Sequence, residues 1–225
     1  TKTKKLRAEV LNNNADLGIA FDGDGDRLVL VDELGKEIEG EYLIAMIAFY
    51  LKEKNLLKSN KVISTVMANL SLEKYFESIG IELIRTNVGD RYVFEEMTKT
   101  GSNFGGEPSG HLIINDFSTT GDAIISSLQV LSAMIEKNKP ISELTNLFTL
   151  TKQINHEIKI GKKNISNKTL EDLSLKMREK IGSEGRLIIR KSGTEPLIRI
   201  MVETDNHELG NKLINEIKSS LDFLS

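Results

Sequence analysis

Two kinds of apolar pattern take turns along this chain. One is the short, nearly continuous run, and the other is the longer stretch with apolar residues every three or four positions. Residues 17–21 and 28–32 are of the first kind and predict strands. Before them, 5–14 sets Leu6, Val10 and Leu11 on one face and predicts a short helix. After them, Glu33 to Lys36 reads as a turn and Glu37-Ile38 as a short return strand. Residues 41–55 place Leu43, Ile44, Ile47, Ala48 and Leu51 at helical spacing. The β-branched run 61–67 reads as a buried strand. A helix over 70–79 ended by Gly80, a strand over 81–86 and a helix over 91–100 stopped by Gly101 come next. Strands over 102–105 and 112–115 flank a glycine-rich turn, and 122–137 is a long amphipathic helix. Strand and helix alternating through short connections predict a parallel sheet covered by helices.

Pro140 and a short helix over 141–148 mark a domain edge. Residues 153–160 then alternate polar and apolar, as a half-buried strand does. A helix over 170–181, strands over 186–190 and 197–203, and a final helix over 207–221 complete the chain. In that helix Leu209, Leu213, Ile214 and Ile217 point inward. The expected fold class is α/β: an α/β/α sandwich-type domain with a mixed, mostly parallel sheet, followed by a small α+β domain of order β-α-β-β-α with helices on one face. The expected divisions are 1–40, 41–148 and 149–225. The first of these has too few elements for a core of its own, as the tail of a larger domain would.

Composition narrows the classes. The chain has 225 residues, a net charge of −3 and no cysteine. That excludes disulfides, thiolate metal sites and a cysteine nucleophile, and gives no general affinity for nucleic acid. No apolar run approaches the length of a membrane span, and the basic start Thr1-Lys2-Thr3-Lys4-Lys5 leads into no apolar signal region. A cytoplasmic protein without nucleic-acid or membrane partners is expected.

The densest chemistry lies between the first two strands, both read as buried, at Asp22-Gly23-Asp24-Gly25-Asp26-Arg27. Three carboxylates this close repel one another unless a cation sits among them, and the glycines let the backbone curl so that their oxygens converge. Oxygen-only ligands suit Mg²⁺ or Ca²⁺. A solvated Asp/Gly turn is the bland alternative. An EF-hand would use Asp22, Asp24, Asp26 and Glu33, but Arg27 stands where that loop needs glycine, and the flanks read as strands. A dehalogenase-type phosphatase with Asp22 as nucleophile wants Thr or Val where Asp26 stands. A three-Asp Mg²⁺ site survives best, with Arg27 offsetting charge or touching a substrate phosphate.

Two further stretches stand out. Gly105 to His111 projects Glu107, Ser109 and His111 from a turn fixed by glycines and Pro108. Those groups suit sugar hydroxyls or an amine, or else the histidine is merely hydrogen-bonded within a turn. Arg190-Lys191-Ser192-Gly193-Thr194-Glu195-Pro196, with Arg199 beyond, combines hydroxyls, a glycine and cations as an anion nest does, or else it is a polar hairpin. Thr86 to Val93 and Thr119 to Asp122 read as structural helix starts, with Asp90 as an N-cap.

In this order and spacing, the three loops resemble those of the α-D-phosphohexomutase family, whose four domains each give one loop to a central cleft. Asp22 to Arg27 is similar to its metal loop, Gly106 to His111 to its sugar loop, and Arg190 to Pro196 to its phosphate loop. The stretches Ala15 to Phe21 and Val88 to Val93 resemble most the branch acting on glucosamine phosphate. The resemblance implies a phosphosugar mutase that passes a phosphoryl group between a serine and a hexosamine phosphate through a bisphosphate intermediate. Asp22, Asp24 and Asp26 would hold Mg²⁺. Glu107 and Ser109 would orient the sugar. His111 would line the same cleft and, with Arg27, is a catalytic candidate. Arg190, Ser192, Gly193, Thr194 and Arg199 would clamp the phosphate that is not transferred. Activity on phosphomannose or phosphoglucose, or a non-catalytic sugar-phosphate module, are the alternatives. The family's phosphorylated serine has no counterpart here, since Ser118, Ser126 and Ser192 stand in other surroundings. The expectation is therefore that the serine domain and most of the metal-loop domain precede Thr1. The piece alone would then be inactive and bind Mg²⁺ weakly or not at all.

Overall fold

The computed structural model describes residues 3–160, 165–192 and 195–223. Its first helix, α1 (Lys4–Asn13), lies on β1 (Leu17–Phe21) where Gly18 leaves room; a Cβ there would come within 2.6 Å of Val10 Cγ2. β1 pairs antiparallel with β2 (Leu28–Asp32), which pairs antiparallel with β3 (Glu37–Ile38). β2 is largely buried. β1 is an edge strand in which only Gly18 is fully buried and Phe21 is 42% exposed. The expectation that the Asp loop joins two buried strands is corrected to one buried strand and one edge.

Next comes α2 (Gly40–Glu53), buried on most of its circumference, including Leu43, Ile44, Ile47, Ala48 and Leu51. Helices apolar all round sit inside a core rather than on it. Leu28, Leu30 and Ile38 join α2 in one hydrophobic cluster, so the opening 40 residues share a core with the helices and sheet after them.

The central sheet is built from β4 (Lys61–Thr65), β5 (Glu82–Thr86), β6 (Phe104–Gly106) and β7 (Leu112–Ile114), in the order β5-β4-β6-β7. β4 runs parallel to β5 and β6, and β7 returns antiparallel to β6. Side chains of a strand alternate between faces. Accordingly Val62, Leu112 and Ile114 pack with α2, α3 (Leu70–Ser78) and α5 (Ala123–Lys137), whereas Ile63 and Ile113 pack with Val93 and Met97 of α4 (Asp90–Thr100). This is the expected helix-sheet-helix layering with a mixed, mostly parallel sheet. The short α6 (Ile141–Leu144) closes the first of two compact units, Thr1–Thr149.

The second unit, Leu150–Ser225, has its own core. Its sheet is ordered β8-β10-β9, with β8 (Gln153–Lys159), β9 (Gly185–Lys191) and β10 (Leu197–Thr204) all antiparallel. Leu170, Leu173 and Met177 of α7 (Asn167–Ile181) and Leu213, Ile214 and Ile217 of α8 (His207–Phe223) cover one face, giving the predicted α+β order.

Several boundaries move, each for a local reason. β4 stops at Thr65, whose Oγ1 accepts from Met67 N–H and bends the chain towards the Asn69 cap of α3. α5 starts at Ala123 because Asp122 is its cap, accepting from Ile125 N–H at 2.9 Å. α7 starts three residues early at Asn167, behind Ser166, whose Oγ accepts from Thr169 N–H at 3.0 Å. Asp90 is not a cap: it opens α4, and Gly89 occupies the N-cap at φ 132°. The helix expected over 141–148 is only the four residues of α6. Among the described residues no helix is long and apolar enough to cross a membrane.

Candidate functional site

The connection leaving β4 goes to one side of the sheet and the one leaving β5 crosses back to the other. Divergent connections open a crevice at the carboxyl ends of parallel strands. The turn 107–111 leaves β6 at that end. It is closed by Glu107 N–H to His111 O (2.8 Å) and Gly110 N–H to Glu107 O (3.0 Å). Gly110 has φ 89°, and a Cβ there would lie 2.2 Å from Leu28 O. Only glycine tolerates both the conformation and the approach.

That approach joins the turn to the Asp loop. Leu28 N–H donates to Gly110 O at 3.0 Å, and Arg27 and His111 form an antiparallel bridge. On the far side of the loop, Gly25 O accepts from Ala123 N–H at 3.0 Å, at the start of α5. Two stretches about 80 residues apart in sequence are thus one hydrogen-bonded structure.

Within the Asp loop the three carboxylates have different surroundings. Asp22 Oδ1 accepts from Gly25 N–H (3.1 Å) and Arg27 N–H (3.3 Å). Partial burial pushes the Asp22 carboxyl up, but hydrogen bonds from the backbone N–H groups of Arg27, Asp26 and Gly25, with the Asp26 side chain close by, outweigh it. The carboxyl therefore titrates below its ordinary value. Arg27 Nε stands 3.9 Å from Asp22 Oδ2, with the arginine half-exposed. Asp24 is exposed. Asp26 Oδ2 lies 3.1 Å from His111 Nδ1, and Asp26 Oδ1 is buried without a hydrogen-bond partner among the described residues. Among those residues, no three His, Asp or Glu side chains are gathered closely enough to hold a metal ion. The three aspartates share a loop without converging.

Glu107 Oε1 accepts from Gly89 N–H at 3.1 Å, and Ser109 Oγ stands 3.5 Å from Oε2. Glu107 therefore ties the end of β6 to the turn before α4. His111 is 3% exposed, and its ring is walled by Gly121, where a Cβ would approach ring atoms to 2.4–2.7 Å. Neither Gly89 nor Gly121 stands out in sequence beyond its place at a helix start. The only signal was a glycine beside a polar run.

In the second unit, Arg190 on β9 lies directly across from Arg199 on β10, which lies across from Glu157 on β8. Two cations in register repel. Arg199 is balanced by Glu157 Oε1, 3.2 Å from its Nε, and Glu195 Oε2, 3.3 Å from its Nη2. Arg190 makes no ion pair with a described residue. Ser192 N–H donates to Leu197 O at 2.8 Å, and its Oγ accepts from Glu195 N–H at 3.3 Å, which leaves the hydroxyl proton to donate. Gly193 and Thr194 lie outside the described residues.

The chain has known relatives. The profile of the phosphoglucomutase/phosphomannomutase alpha/beta/alpha domain III matches residues 39–151, and that of the family's C-terminal domain matches 143–220. The chain belongs to the phosphoglucomutase/phosphomannomutase family. Among curated members, it is 43% identical over 223 residues to the phosphoglucosamine mutase of Parvibaculum lavamentivorans, covering 99% of this chain and 50% of that one. It is 45% identical over 213 residues to that of Brucella ovis, covering 94% and 47%. The chain thus spans about half the length of these relatives. Among solved structures, a phosphoglucomutase/phosphomannomutase family protein of Burkholderia thailandensis superposes with a TM-score of 0.77 at 19% identity, covering 99% of this chain and 50% of that one. The N-acetylphosphoglucosamine mutase of Aspergillus fumigatus, solved with GlcNAc-6P and magnesium, superposes with a TM-score of 0.73 at 18% identity, covering 90% and 51%. At such identities these two structures speak for the fold.

Proposed function

We propose that this chain supplies the metal, sugar and phosphate loops of a phosphoglucosamine mutase, which interconverts glucosamine 6-phosphate and glucosamine 1-phosphate through a phosphoserine. One observation carries the reading: the Asp loop and the Glu107 turn form a single hydrogen-bonded structure at the carboxyl end of β6. A cation site and a sugar site would then share one wall. The choice of sugar rests on the phosphoglucosamine mutases matched over nearly the whole chain.

The donor chemistry suits a hard cation. The donors are three carboxylates, and Asp26 Oδ1 is a buried acceptor with no described partner. Asp22, Asp24 and Asp26 would hold Mg²⁺. When bound, such a cation neutralises charge on a transferring phosphoryl group. The chain's own residues do the rest. Glu107 accepts from sugar hydroxyls or an ammonium group, fixed in place by Gly89 N–H and with Ser109 beside it. Arg190 offers a bidentate fork to phosphate oxygens, and the Ser192 hydroxyl donates to the same group, with Gly193, Thr194 and Arg199 as the rest of the clamp. Arg27 does not lose its proton at any working pH, so its part is to offset charge rather than to act as a base.

The test is a substrate comparison on the longer protein that carries this chain. A kcat/KM for glucosamine 6-phosphate well above those for glucose 6-phosphate and mannose 6-phosphate is expected. The reverse order would assign the chain to phosphoglucose or phosphomannose. Glu107→Ala should lower kcat/KM by about a hundredfold, within the range of a lost charged hydrogen bond.

A further inference from the structure

We propose that His111 is a positioning residue that holds the Asp26 carboxylate for the cation, and that Gly121 must be glycine because any side chain there would push His111 away. The proposal rests on the reading of Asp26 as a metal ligand. It departs from the sequence expectation that His111 meets the sugar.

Burial is the first ground. The His111 ring is 3% exposed and so offers almost no surface to a ligand arriving from solvent. The second is the hydrogen bond: Nδ1 lies 3.1 Å from Asp26 Oδ2, and because a carboxylate only accepts, Nδ1 is the donor. The interaction occupies one carboxylate oxygen and leaves the other, Oδ1, without a described partner. A carboxylate held by one oxygen and free at the other is the arrangement that supports a cation ligand from behind.

The third ground is that the ring cannot retreat. Its backbone is pinned by the Arg27 bridge and the Glu107 N–H to His111 O bond. On its open side stands Gly121, where a Cβ would approach Cε1 to 2.4 Å, Nε2 to 2.5 Å and Nδ1 to 2.7 Å. The segment carrying Gly121 is fixed too. Asp122 caps α5, and the next N–H, of Ala123, bonds Gly25 O in the Asp loop itself. Three segments therefore meet around one imidazole: the Asp loop, the sugar turn and the start of α5. The group whose position they jointly set is the Asp26 carboxylate.

Mn²⁺ binding to the longer protein that carries this chain, followed by electron paramagnetic resonance, tests this. Circular dichroism of each variant checks folding. His111→Leu and Gly121→Ala should each weaken Mn²⁺ binding about tenfold, the low end for a lost supporting hydrogen bond. His111→Asn keeps an N–H near the Nδ1 position and should retain most of the affinity. Because it removes Cε1 and Nε2, the two ring atoms that a Cβ at 121 would approach most closely, it should also partly restore binding when combined with Gly121→Ala. Folded Gly121→Ala and His111→Asn chains decide the matter even where His111→Leu does not fold. If Asp26→Asn loses Mn²⁺ while His111→Leu and Gly121→Ala bind like the unchanged longer protein, His111 does not position Asp26. If Asp26→Asn binds as well as the unchanged longer protein, or that unchanged protein binds no Mn²⁺, the metal reading falls and takes the proposal with it.

Discussion

At the scale of single residues, the glycines around the site differ sharply in what they allow. Gly110 combines a left-handed backbone with a 2.2 Å approach to Leu28 O, whereas Gly23, in the Asp loop, has open space where a Cβ would stand. Gly110→Ala should destabilise the first unit by about 2 kcal/mol or more, and Gly23→Ala should stay within about 0.5 kcal/mol, by urea denaturation. Equal effects would mean that the two loops are not docked as described. Much of the candidate site was legible in the sequence because its loops are local. Asp22 to Arg27 and Gly106 to His111 each carry their chemistry within six residues. What was not legible is how the loops meet. The Asp26–His111 pair is separated by 85 positions, and no short pattern announces it. Gly121 likewise reads as any glycine before a helix cap until His111 is seen against it.

Elements were predicted well in kind and less well in extent. Alternation and helical spacing report buried faces, so β4, α2 and the strands of the second unit were legible. Ends depend on caps, which compete with neighbouring polar residues for the same role. Ser166 is such a case: three polar residues after it hid the first turn of α7. Ser166→Ala should cost about 1 kcal/mol through loss of its bond to Thr169 N–H. A thermal melt showing no change would put the true cap elsewhere. Asp116, just after β7, gives a pH test. A hydrogen bond from the Lys58 side chain, against the opposing pull of burial and with help from Asn103, holds its carboxyl below the ordinary 3.8. A carboxyl with a lowered folded pKa stabilises above its unfolded pKa, and the contribution is lost as pH falls through the folded value. Asp116→Ala should therefore cost up to about 1 kcal/mol near pH 7, kept small because both side chains are well exposed to solvent screening. The cost should fade as the pH drops below 3.8. A cost that persisted in acid would mean that Asp116 acts through packing instead of charge.

For the whole molecule, the alternation of elements was enough to give the α/β class and the smaller α+β unit. It gave a mixed sheet without naming the reversed strand; that strand is β7, because the turn over 107–111 is too short for the crossover that a parallel return needs. That reversal places Glu107 and His111 beside the Asp loop, and it is the feature that turns separate motifs into one wall of the proposed site. The two units have separate cores, one carrying the Asp and Glu107 loops and the other carrying Arg190 and Ser192. In the proposed reading the chain holds three of the parts needed for phosphoryl transfer within a sugar phosphate and lacks the serine that carries the phosphoryl group. Phosphorus-31 nuclear magnetic resonance of glucosamine 6-phosphate with Mg²⁺ tests this most directly, run once with the 225-residue chain and once with the longer protein that carries it. The glucosamine 1-phosphate signal is expected to grow only with the longer protein. Its appearance with the chain alone, or its failure to appear with the longer protein, would contradict that division of parts.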